Sequence, residues 1–206
     1  MSANNAKPKS ALGFLTVLDH PQHGLFGGYL ILNMAGRPLE FHCTAPIKPN
    51  RAQEILYGPT LESFLYGEQI GFTLLEQAKI DPLLVCTDRQ AALAVRELIA
   101  LPVALVLPAD SSGETGAPNP GEAPAGQSAD GGQEHRPRLR LDRSHTGGPQ
   151  LFTFRVGRNH LAVPQRSEAD QPLIAQRLAE LGESFDLAEP FHRIREAIEE
   201  AQQAVR

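Results

Sequence analysis

Between residues 83 and 107 the chain reads Leu83-Leu-Val-Cys86, then Thr87-Asp88, a segment of helical character over 89–100, and Val103-Ala-Leu-Val-Leu107. Two uninterrupted apolar runs of strand length, joined by a helix-length segment, constrain the fold more than any other feature. A strand with one wet face alternates apolar and polar residues, because successive side chains point to opposite sides. A strand with no polar position must be covered on both faces, and parallel strands joined by a helical crossover meet that condition. The segment therefore predicts a βαβ unit inside an α/β (or α+β) fold, with Val85 and Leu105 buried on adjacent parallel strands.

The preceding residues predict a three-strand antiparallel meander that joins this unit in one mixed sheet. Residues 13–19 are β-prone, and His20-Pro-Gln-His-Gly24 is a turn, since Pro fixes φ and Gly permits positive φ. Tyr29-Leu-Ile-Leu32 is a second strand, entered through the flexible pair Gly27-Gly28 and turned back at Asn33-Met-Ala-Gly36. The third strand, over 39–44, alternates: Leu39, Phe41 and Cys43 face one side, and Glu40, His42 and Thr44 the other. Helices follow. Asn50 and Gln53 have the spacing of a capping box ahead of a helix over 51–57. Thr60 stands as the cap of a longer helix reaching about residue 78, with Leu61, Phe64, Leu65, Phe72 and Leu75 at helical spacing. Tyr66, Ile70 and Leu74 form a second apolar edge, so this helix should be buried on more than one side. Gly67 and Gly71 each cost it about 1 kcal/mol relative to Ala, a loss that close packing against a neighbour would explain.

Four segments result: a disordered tail over 1–10, the main α/β module over 11–107, a disordered insert over 108–135, and strands with two helices over 136–206 that complete the module or pack on it. From Pro108 to Gln133 there is no basic, aromatic or large aliphatic residue, so that stretch cannot bury enough surface to offset its ordering entropy. Beyond it, Arg138-Leu-Arg-Leu-Asp142, Leu151-Phe-Thr-Phe-Arg-Val156 and Leu161-Ala-Val163 read as a small antiparallel set. One helix spans about 172–181 and is stopped by Gly182; a second spans about 189–204. The second sets Phe191, Ile194, Ile198, Ala201 and Val205 in a narrow seam of the kind that packs on another helix, while Arg193, Arg195, Glu196, Glu199 and Glu200 keep the remaining surface solvated. The partner helix is expected to be its own neighbour, another protein, or a second copy of the chain.

Charge and cysteine content limit the function classes. The net charge of −5 opposes nucleic acid, although Arg136, Arg138, Arg140 and Arg143 form one local basic stretch. Two cysteines, Cys43 and Cys86, are too few for a disulfide framework and fit a reducing compartment. No apolar stretch approaches the roughly 20 residues of a membrane span, and Met1 to Ser10 carries no leader pattern. The expected location is the cytoplasm, without a membrane partner.

Chemistry-bearing residues are few. Asp19, His20 and His23 cluster at the first turn and His42-Cys43 lies on the third strand, but no recognised metal spacing is present, and His42 and Cys43 point to opposite faces of their strand. No metal or cofactor is expected. Asp88 sits at a strand's carboxyl end beside a helix start, where α/β sheets collect ligands, and where Asp also serves as an N-cap. The N-cap is the simpler reading. Gly24, Gly27 and Gly28 make no phosphate-binding pattern. The expectation is a non-catalytic intracellular interaction or scaffold protein, not an enzyme. The alternative is a small enzyme or ligand-binding protein that uses Asp19, His23, His42 and Asp88 as strand-end acid and base groups.

Overall fold

A computed structural model of the chain describes residues 10–108, 150–179, 181 and 185–203. These residues form one mixed seven-stranded sheet in the order β3-β2-β1-β4-β5-β7-β6. The strands are β1 (Ala11–His20), β2 (Gly24–Asn33), β3 (Pro38–Cys43), β4 (Leu84–Thr87), β5 (Val103–Leu107), β6 (Leu151–Val156) and β7 (Asn159–Pro164). β1, β4 and β5 run parallel at the centre, and every other pairing is antiparallel. The α/β reading holds, including the buried βαβ unit: Val85 pairs with Val103, and Val85 and Leu105 are buried. Strands β6 and β7 extend the same sheet through the pairing of β5 with β7. The insert expected over 108–135, the tail over 1–10 and the strand expected over 138–142 lie, apart from Ser10 and Pro108, outside the described residues.

Each face of the sheet carries its own apolar cluster. The first face, with Leu15, Val17, Tyr29, Ile31 and Val85, packs under residues 61–77 and under the 3-10 helix Gln90–Glu97. Residues 61–77 are one composite helix: α2 (Leu61–Ser63), a π-helical stretch (Phe64–Phe72) and α3 (Thr73–Gln77). Its glycines are explained by close approach. A Cβ on Gly67 would overlap Ala94, and one on Gly71 would press on the Tyr66 carbonyl and on Leu15. Thr60 occupies the N-cap position of this helix but makes no side-chain capping bond. The chain enters it directly from α1 (Arg51–Tyr57) through a 3-10 turn, and the Thr60 hydroxyl donates back to the Tyr57 carbonyl at 2.8 Å.

The second face, with Leu12, Phe14, Leu30, Leu32 and Cys86, packs under α4 (Gln171–Leu178) and α5 (Glu189–Gln203). This corrects the seam expectation. Phe191, Ile194 and Ile198 are buried against the sheet rather than against a helix, with the Phe191 ring edge-on to Phe14 at 5.7 Å. The seam is narrow because α5 lies chiefly across two strands, β1 and β2. Ala201 is exposed, and Val205 lies outside the described residues. Helix α4 ends at Leu178 with Ala179 as its C-cap; Gly182 also lies outside the described residues.

Two sequence readings change at β2 and β3. Gly27 and Gly28 sit inside β2 rather than at its entrance. A Cβ on Gly27 would overlap Ile70 of the composite helix, and one on Gly28 would overlap Ile194 of α5. Adjacent strand residues point to opposite faces, so the pair clears space for a helix on each side. In β3 the strict alternation fails, because the register shifts between Ile31 and Leu32: Glu40 opposes Ile31 and Pro38 opposes Leu32. Leu39 is the extra residue of this bulge. It packs into the first-face cluster, while Phe41 is left 39% exposed.

Candidate functional site

The carboxyl end of β4 lies beside the middle of β1, with Leu15 opposite Thr87. Asp88 follows β4 directly. Its carboxylate accepts a hydrogen bond from the buried Thr16 hydroxyl at 2.6 Å and pairs with the Arg195 guanidinium of α5. Asp88 is therefore not the N-cap that the sequence favoured. The cap position of the 3-10 helix is Arg89, with no side-chain capping bond, and the turn is held instead by the Thr87 hydroxyl accepting from the Arg89 amide at 3.2 Å. Arg195 likewise departs from its expected solvated position, and Arg193 donates to the Gly36 carbonyl at 3.1 Å. The Thr16–Asp88–Arg195 cluster is a polar clasp between the sheet and α5, and one partner is drawn from each of three distant segments.

The other three candidates are dispersed. Asp19 shares the first face with Leu15 and Val17 by strand alternation, opposite the face on which Asp88 meets α5. There it neighbours Tyr66: burial pushes that hydroxyl above the usual tyrosine range, Glu62 and Asp19 push the same way, and Arg89 opposes them. His23 is exposed in the β1–β2 turn, with its ring 4.6 Å from that of His20, whose Nδ1 accepts from the amides of Gln22 and His23. His42 lies on the edge strand β3, and its Nε2 is 2.8 Å from Glu40 Oε1.

Glu40, which the sequence did not single out, is the hub of that edge. Its carboxylate accepts the backbone amides of Lys79 at 3.0 Å and 3.1 Å and of Ile80 at 3.1 Å. Burial raises the Glu40 carboxyl, but the hydrogen bonds from His42, Lys79 and Ile80 outweigh it and hold the group below the ordinary glutamate value. The i, i+2 spacing of Glu40 and His42 was visible as two polar residues on one strand face. The Lys79 and Ile80 amides, 39 and 40 residues away, were not.

The thiols differ sharply. Cys86 is buried under the second-face cluster, and burial pushes its pKa up to about 12, so it is no nucleophile near neutrality. Cys43 is exposed. It borders a cleft of about 400 Å³ between β2, the end of β3 and α5, along with His23, Phe26, Pro46, Ile198 and Ala201. His23 is the one sequence candidate that reaches this cleft. Among the described residues no three His, Cys, Asp or Glu side chains are grouped to hold a metal, and no helix is long and apolar enough to cross a membrane. The chain matches no protein-family model and no curated protein sequence.

Proposed function

We propose that this protein is a non-catalytic interaction or scaffold module of the cytoplasm that binds a partner protein through helix α1. One observation carries the reading: α1 buries none of its residues, yet it exposes Ile55 at 67% and Leu56 at 81%. A single exposed aliphatic residue is ordinary. Here two stand side by side on a helix whose start is stiffened by a reciprocal capping box between Asn50 and Gln53. Its end is backed by Tyr57 stacked on Phe64 at 4.0 Å. A helix already formed avoids part of the ordering cost of association, and apolar anchors seated in a groove are a recurrent mode of recognition. Arg51 and Glu54 pair with each other at 2.9 Å, so the fitting partner presents an apolar groove rather than a charged one. The fate of the strand-end residues supports the same reading, since the Asp88 carboxylate serves as an anchor for α5 and Asp19 belongs to the other face.

The test places a photo-crosslinking residue at the exposed position Ala52, one turn from Leu56, in the full chain inside cells. One discrete adduct is expected, lost in the Ile55→Glu/Leu56→Glu variant while the melting temperature stays unchanged. An adduct of twice the chain's mass would make the partner a second copy. No adduct, or an adduct that survives the double substitution, would overturn the proposal.

A further inference from the structure

The cleft beside α5 is a separate surface, because neither Ile55 nor Leu56 lines it. It exists for a structural reason. Helix α5 lies chiefly across β1 and β2 and is drawn down where Gly28 admits Ile194 and Ile198. The α5 side of β3 is thereby left bare next to the helix, with Cys43 and Phe41 exposed. Small residues keep the space open, Cys43 on the strand wall and Ala201 on the helix wall. The buried rings and methyls of Phe26 and Ile198 form an apolar floor. At about 400 Å³ the cleft falls in the size range of ligand sites, roughly 300–1,000 Å³, which combine apolar walls with a few polar groups.

The charge of the lining decides what fits. Among the described residues no Asp, Glu, Lys or Arg borders the cleft, and its polar groups are the His23 imidazole, the Gln202 amide, Thr44 and the Cys43 thiol. An ion seated there would lose hydration with no counter-charge to replace it, whereas an apolar body gains from leaving water. We infer that this cleft is a binding site for a small uncharged molecule with an apolar body and one hydrogen-bonding group, of the chemical kind of a neutral aromatic alcohol.

Cys43 supplies the readout, because it is exposed at the cleft while Cys86 is fully buried. The full chain is treated with a thiol reagent in the presence of 2-naphthol and, separately, of the anion 2-naphthoate. Labelling of Cys43 should slow saturably with naphthol, by about tenfold when the probe is at about nine times its dissociation constant, and should not slow with naphthoate over the same concentrations. Ala201→Trp, at an exposed position, should fill the cleft and abolish naphthol fluorescence changes without lowering the melting temperature, while Ala201→Ser should preserve them. Absence of saturable protection, equal protection by naphthoate, or undiminished binding in Ala201→Trp would overturn the inference. So would labelling that falls with protein concentration in the absence of probe, which would mean that a second copy covers the cleft.

Discussion

On its first face the sheet is covered by chain that lies between its own strands. The composite helix of residues 61–77 and the 3-10 helix Gln90–Glu97 both sit on connections that lead from one strand to the next. On its second face the cover is α4 and α5, which follow all seven strands in sequence. A crossover is tethered at both ends and has little choice but to fold back on the sheet. Helix α5 lies on no connection between two strands of the sheet, and it carries additional fastening: the Asp88–Arg195 pair supported by Thr16, and the glycine clearance at Gly28. The comparison teaches that Asp88, at a strand end where an α/β sheet often places its chemistry, is used in this protein together with Thr16 to attach a helix that follows the strands in sequence.

Four experiments would break or sharpen that comparison. The largest effect is expected from a charge at the centre of the sheet. Val85 points to the first face and Cys86 to the second, and both are fully buried. Val85→Asp and Cys86→Asp should each cost more than about 4 kcal/mol by burying an unpaired carboxylate, so neither should give soluble folded protein. If only one of them fails to fold, the two faces are not equally sealed.

Next come the neighbouring glycines. Gly27→Val and Gly28→Val should each cost about 1–3 kcal/mol through overpacking, with different footprints in amide hydrogen exchange. Gly27→Val should loosen residues 61–77 and leave α5 protected, and Gly28→Val should do the reverse. A shared footprint would mean that the two covers unfold as one unit.

A smaller loss is expected from Arg195→Met, about 1–2 kcal/mol, since the pair is only partly buried and the Asp88 carboxylate keeps its Thr16 bond. The loss should appear in chemical denaturation midpoints, with faster exchange confined to α5. Combined with Gly28→Val, the two losses should sum to more than the double variant shows, because both act on the same helix.

The smallest effect is one of pH and concerns the first face. Glu40 is held below its ordinary value, so its ionised form contributes stability that is present above the unfolded pKa of about 4.3 and fades as pH falls through the folded value. Glu40→Gln keeps an acceptor for Lys79 and Ile80 but removes the charge. Its denaturation midpoint should lie slightly below that of the parent near neutrality, and the gap should close on acidification. A gap that persists or widens in acid would mean that the carboxylate's charge contributes nothing at this edge.

Local signals were sufficient wherever one element's own residues decide its state. Residues 103–107 and 151–156 were legible as strands from their composition, and α1 was legible from Asn50 and Gln53, whose reciprocal capping bonds are present. The buried parallel centre followed from apolar runs that leave no face for water. Other features depend on partners distant in sequence. Whether Gly27-Gly28 punctuates a strand or lies within it depends on Ile70 and Ile194, and the bulge that turns Leu39 depends on the register with Ile31 and Leu32. An amphipathic seam reports its width and not its partner, so the same apolar residues of α5 would suit a helix or two strands of a sheet. Asp88 shows the limit most plainly: its type and position fit a cap, a catalytic group or an anchor. The Thr16 hydroxyl, 72 residues before it, and the Arg195 guanidinium, 107 residues after it, make it an anchor, because the nearest donors in space claim a carboxylate whatever their distance along the chain.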